Sequence, residues 1–257
     1  MDKAAGFRII LILAVFIAWT AATYLLEGRT NLLLRYDPAG RIIYTVVANI
    51  AIGVIFSAWT LRYLLKTGFV NPAQLGLGKP KTRTVSIIAA AGLVGFALFI
   101  MQAPRADPII IVNVFLQVLP VSVAEVIVCW VVVGTAFESL SRRNGRIISI
   151  TMAAVVSTVL FGLYHFAHSP PFNQPIMVLF LMIPGIATAV TFFLGRDIYA
   201  TIAIQNFLGM TGILINVDPN IFSQPMPPIY LQAAASMAAL VASNVFLLRS
   251  ARRHEIL

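Results

Sequence analysis

Apolar stretches of about twenty residues, separated by short polar turns, recur from one end of the chain to the other, and this pattern predicts membrane-spanning helices. They run Phe7–Leu26, Ile42–Leu65, Thr84–Met101, Ile109–Ser141, Ile147–His168, Pro175–Leu194, Ile198–Val217 and Pro228–Leu248. About twenty apolar residues cross a ~30 Å hydrocarbon core as a helix. The fourth stretch is too long for one upright crossing and too short for two, and no turn divides it. It is read as one long, tilted or broken helix, with Pro120 able to kink it. Residues Glu27 to Arg41 are read as a polar loop after a retained first span, and the most basic connection is KTGFVNPAQLGLGKPKTR.

Charge distribution supports the count of eight. With the long helix taken as one span, fourteen Lys and Arg side chains fall on one side, from Lys3 and Arg8 through Lys79, Arg142, Arg146 and Arg196 to Arg253. Only Arg29, Arg35, Arg41 and Arg105 fall on the other. The positive-inside rule then places both termini in the cytoplasm, and a bacterial cytoplasmic membrane is the expected setting. The net charge of +9 is thereby a matter of topology, and no nucleic-acid partner is expected. Membrane lipids, and other membrane subunits, are the expected partners.

Composition excludes most other classes. The chain is 60% hydrophobic and 11% charged, against about 25% charged in soluble domains, so the expected fold is an all-α polytopic bundle, read as a single transmembrane domain over 1–257. The lone cysteine, Cys129, rules out an intramolecular disulfide and a cysteine-rich zinc site. There is no H-E-x-x-H, G-x-S-x-G, P-loop or dinucleotide motif. Broken-helix repeats of the transporter kind are missing, and the end RRHEIL has no lipidation cysteine.

Chemistry concentrates between Leu119 and His168, where Glu125 stands inside one apolar run and Phe161, His165 and His168 close the next. An ionisable group within the bilayer is costly and marks a candidate functional site. Glu125, His165 and Gln205 are expected to converge inside the bundle. Blander roles stand beside these: His165 as a hydrogen-bonded interior histidine, Glu125 protonated and paired with Gln117 or Gln205, and Gln205 and Asn206 as interhelical hydrogen-bonders. His168 is read as a solvated interfacial residue, because Ser169-Pro170-Pro171 ends its helix; the alternative is a two-His metal pair with His165. Arg142, Arg143 and Arg146 are read as topology determinants touching anionic headgroups.

These residues resemble the CPBP family, which includes the type II CAAX prenyl endopeptidases and bacteriocin self-immunity proteins, over about 75–214. That family carries Glu-Glu-x-x-x-Arg on a long helix, then Phe-x-x-x-His, then His-x-x-x-Asn or Asp. FGLYH keeps the second motif as Phe161 and His165. The first falls on AEVIVC, with Ala124 and Glu125 at the two Glu positions and Cys129 at the Arg; a rival placement on FESLSR would use Glu138 and Arg142. The third falls on QNFLG, with Gln205 for His and Gly209 for Asn or Asp. The resemblance implies an intramembrane protease-like bundle, and a divalent metal such as zinc, held by His165, if the chain is active. With Ala124, Cys129 and Gln205 in place of functional groups, the expectation is a pseudoenzyme that binds or assembles without hydrolysis. Active endopeptidase chemistry through Glu125 and His165, or binding of a lipid or small molecule, are the alternatives.

Overall fold

A computed structural model describes residues 3–77, 79–102 and 106–254, and all regular structure among them is helical. Among the described residues, eight helices are long and apolar enough to cross a membrane: α1 (Gly6–Leu34), α2 (Pro38–Lys66), α3 (Lys81–Gln102), α4 (Pro108–Leu140), α5 (Arg146–Ala167), α6 (Pro175–Gly195), α7 (Ile198–Asn216) and α8 (Pro227–Arg252). The expected polytopic all-α fold is therefore present. Arg105 and residues 255–257, used in the sequence reasoning, lie outside the described residues.

Helix starts follow local chemistry. Proline stands at the first turn of α2, α4 and α6, where its missing N–H costs nothing. Asp37 accepts from Gly40 N (2.8 Å) to cap α2, and Asp197 accepts from Ala200 N (2.9 Å) to cap α7, each satisfying an otherwise orphaned donor. Between α4 and α5 the chain turns at Gly145, whose φ of 91° suits a residue without a Cβ.

Helix α4 is the axis of the bundle: 78% of its most apolar window is buried, against 17% for α3. It runs unbroken through Pro120, its backbone widening to π-type turns over Val126–Gly134, immediately after Glu125. Around it pack α1, α2, α5, α7 and α8, with Trp130, Val131 and Val132 fully enclosed. Outward faces are apolar, with Leu93, Ile147, Leu194 and Leu231 all more than two-thirds exposed, as suits surfaces solvated by acyl chains.

One reading of the first loop is corrected. Glu27 is not in a polar loop; helical structure continues through Tyr24–Gly28, and Glu27 is 4% exposed. Gly28 permits this, since a Cβ there would lie 2.1 Å from the backbone oxygen of Ala167. The end of α1 thus lies directly against the end of α5.

The two ends of the bundle differ. At one, Arg196 forms a fork of two hydrogen bonds to Glu138 (2.7 Å each), Arg142 donates to Gln74 Oε1 (2.8 Å), and Lys79 donates to the backbone oxygens of Gly195 and Arg196. This basic end is closed by polar contacts. At the other end, where α1 finishes and α2 begins, the helices enclose a cleft.

Candidate active site

The cleft has a volume of about 110 Å³ and draws its lining from six helices and the 168–172 segment. Leu32, Leu33, Val118, Phe172, Leu181 and Ile213 give it an apolar wall, while Glu27, Arg41, Tyr44, Glu125, His165, His168 and Gln205 supply its polar groups. Glu27, Arg41, Tyr44, His165 and His168 lie toward the end of the bundle remote from the basic one, while Glu125 and Gln205 stand near the middle of α4 and α7.

Glu125 is held by the side chain to which the sequence pointed. Gln205 Nε2 donates to Glu125 Oε2 at 2.7 Å, and Gln205 Oε1 accepts from Thr188 Oγ1 at 2.6 Å. Because its oxygen is occupied by the threonine hydroxyl, the amide must turn its NH₂ toward the carboxyl, which fixes the orientation of both groups. Glu125 Oε1 then lies 3.8 Å from His165 Nε2. That is too long for a direct hydrogen bond, and it leaves both atoms turned into the cleft.

Both imidazoles are anchored through Nδ1. His165 Nδ1 contacts Phe161 O at 2.8 Å, one turn back along α5, and the ring sits edge-on between Phe161 and Tyr164. His168 Nδ1 lies 3.0 Å from Glu27 Oε2. Glu27 is itself gripped by Ser169, whose N–H donates to both carboxylate oxygens (3.2 and 3.0 Å) and whose Oγ donates to Oε1 (2.6 Å). Tyr164 stacks on Trp19 at 3.7 Å and exchanges a 3.3 Å hydrogen bond with Thr23, pinning α5 to α1 beneath the cluster.

With Nδ1 occupied, Nε2 is the free atom of each ring. His168 Nε2 is buried and has no hydrogen-bond partner among the described residues. One ligand atom from each of Glu125, His165 and His168 lies within 4.8 Å of the others. Two imidazoles and a carboxylate form the donor set of many catalytic zinc sites, and a carboxylate behind a ligating histidine is the usual outer support. The residues present therefore fit a divalent metal held by His165 and His168, with the Glu125 carboxyl beside it.

The sequence reading is corrected at His168, which is 8% exposed and belongs to the cluster instead of a solvated interface. Ser169-Pro170-Pro171 does end the helix, but the turn folds His168 back onto Glu27. Glu27, Arg41 and Tyr44 were missed as well, because their contacts lie about 140 residues away in the chain for Glu27 and on a different helix for the others. A buried-acid signal was available only in hindsight of the helix end.

Other positions lie elsewhere. Ala124 and Cys129 are wholly buried and do not line the cleft. Ala124 faces α2, where a Cβ on Gly53 would come within 2.6 Å of the Ala124 Cβ. Gly209 lines the cleft, and Phe161 is both a lining residue and the packing partner of Trp130. Glu138 and Arg142 stay at the basic end, where Glu138 is committed to Arg196. Asn206 donates to Phe115 O at 3.2 Å, an interhelical bond.

A carboxylate and two oriented imidazoles inside a helical membrane bundle define the class: an intramembrane site of glutamate and histidine residues. Residues 108–208 match the family model described as type II CAAX prenyl endopeptidase Rce1-like. This supports, over that segment, the resemblance carried by Glu125, Phe161 and His165. No curated protein and no solved structure matches the chain.

Proposed function

We propose that the protein is an intramembrane peptide hydrolase working through Glu125, His165 and His168. The observation that carries this is the arrangement of the two imidazoles, each held at Nδ1 and presenting Nε2 beside the Glu125 carboxyl. The sequence expectation of a pseudoenzyme rested on Ala124, Cys129 and Gln205 standing where a glutamate, an arginine and a histidine are expected. His168 offers a second imidazole from a neighbouring position, so the count of catalytic groups is less depleted than the motifs imply.

Glu125 is the general base in this reading. Gln205 holds one carboxylate oxygen and leaves Oε1 to take a proton from water lying between it and His165, which is within reach of a single bridging molecule. The same carboxyl returns the proton to the departing amine. A divalent metal held by the two imidazoles would supply Lewis acidity and lower the pKa of the water, with Glu125 Oε1 left as the base. The apolar wall favours substrate segments that already reside in the bilayer. By the positive-inside rule, the basic end is cytoplasmic and the cleft belongs to the opposite leaflet; a bacterial cytoplasmic membrane fits that arrangement.

The test is cleavage of fluorogenic prenylated and transmembrane peptides by the purified full chain in lipid nanodiscs, with Glu125→Gln and His165→Ala alongside. Turnover by the wild type and its loss by ~10²-fold or more in both variants supports the proposal. Folded wild type without turnover, with or without added zinc, overturns it. That result would favour the second reading, a binding or assembly partner for lipids or membrane subunits, which draws on the interhelical bond from Gln205 to Glu125 and the burial of Ala124 and Cys129.

A further inference from the structure

Arg41 is the least expected group in the cleft. Its side chain is 1% exposed, in the first turns of α2, and lines the same cavity as Glu125 and the histidines. Nη2 donates to the backbone oxygen of Arg35 at 2.9 Å and, at 3.5 Å, reaches that of Leu33, while Phe222 lies under the guanidinium with its ring centre 5.7 Å from Cζ. Nε and Nη1 have no hydrogen-bond partner among the described residues, and no carboxylate lies within 4 Å. Glu27, the acid on the neighbouring helix end, is committed to His168 and Ser169.

Glu27 and Asp37 are near enough to offset part of its charge but neither pairs with it; a buried guanidinium with two unpartnered nitrogens is destabilising, and within a bilayer such groups mark ligand pathways. We infer that Arg41 is the anchor for a singly charged carboxylate at the end of an apolar chain, whose body lies along Leu32, Leu33, Val118, Phe172 and Ile213. One negative charge suits the site better than two, because Glu27 and Glu125 line the same cavity and would repel a phosphate dianion. The two carbonyls that hold Nη2 fix the guanidinium before a ligand arrives, so little side-chain entropy is lost on binding. A fatty acid and the C-terminus of an apolar peptide both present this chemistry. The inference rests on the site proposed above but concerns binding, not turnover.

The experiment measures displacement of radiolabelled dodecanoate from the full chain in phosphatidylcholine nanodiscs. It uses the Glu125→Gln variant, so that the outcome is independent of hydrolysis. Competitors are dodecanoate against methyl dodecanoate, and an apolar hexapeptide with a free C-terminus against its amide. The expected result is at least a tenfold preference for the acid in one pair, and the pair that shows it identifies the source. A further Arg41→Gln change abolishes the preference and Arg41→Lys retains part of it. Equal competition by acid and neutral forms in both pairs overturns the inference without reference to any variant. A preference that survives intact in folded Arg41→Gln protein also overturns it.

Discussion

Removing the Glu27 carboxylate tests whether the N-terminal helices take part in the site. Glu27 accepts hydrogen bonds from the N–H and Oγ of Ser169 and pairs with His168. If these behaved as ordinary interhelical hydrogen bonds in a membrane, at ~0.6 kcal/mol each, Glu27→Ala would cost under ~2 kcal/mol. The Ser169 N–H and the His168 Nδ1–H, however, are left buried without an acceptor, at ~1–3 kcal/mol each, so a cost of ~2–6 kcal/mol is expected. Glu27→Gln keeps an acceptor for Ser169 and removes the charge, so it is expected to fall between wild type and Ala in stability. Its larger effect is on His168: losing the carboxylate behind a ligating imidazole typically costs 10–100-fold in metal affinity, or ~1.4–2.7 kcal/mol. Unfolding in mixed micelles by SDS titration reads the stability, and zinc titration by calorimetry reads the affinity. Wild-type zinc affinity in Glu27→Gln, together with a stability loss below ~0.5 kcal/mol in Glu27→Ala, would refute the assignment of Glu27 to the site.

Other substitutions address separate contacts. Ala124→Glu restores the first motif position on paper, yet it drives a carboxylate into the contact with Gly53; a stability loss of ~3 kcal/mol or more without gain of activity is expected, and enhanced turnover would contradict the packing described. Gly28→Ala places a methyl against Ala167 O, so α1 must shift from α5; thermal unfolding of the purified variant should drop, and zinc affinity should fall with it. For sidedness, Leu33→Cys at the cleft is expected to react with a membrane-impermeant thiol reagent applied to intact bacterial cells, whereas buried Cys129 in the parent stays unlabelled; labelling only in inverted vesicles would reverse the orientation proposed.

How much of this could be read from the chain depended on whether the signal was periodic or folded back. The eight spans, including α4 as one element, followed from apolar run length and the placement of arginine and lysine. The pairing of Glu125 with Gln205 was legible because both are isolated polar residues at comparable depth, where hydrocarbon leaves few alternatives to mutual contact. His168 was not, since Ser-Pro-Pro signals a helix end but says nothing of the direction the chain takes next. Glu27 and Arg41 were hidden for a related reason: each flanks a polar stretch, and burial comes from distant chain, Ser169 about 140 positions away for Glu27 and Phe222 for Arg41.

The family-like segment, residues 108–208, supplies the acid and both imidazoles, while the buttress behind His168 and the cation at Arg41 come from the first two helices. If both proposals hold, chemistry and selectivity are written in different parts of the gene. On the proposed reading, changes at Arg41 would retune what is admitted, changes at Glu27 would reach the trio through His168, and an excised central fragment would carry the trio with one imidazole unmoored.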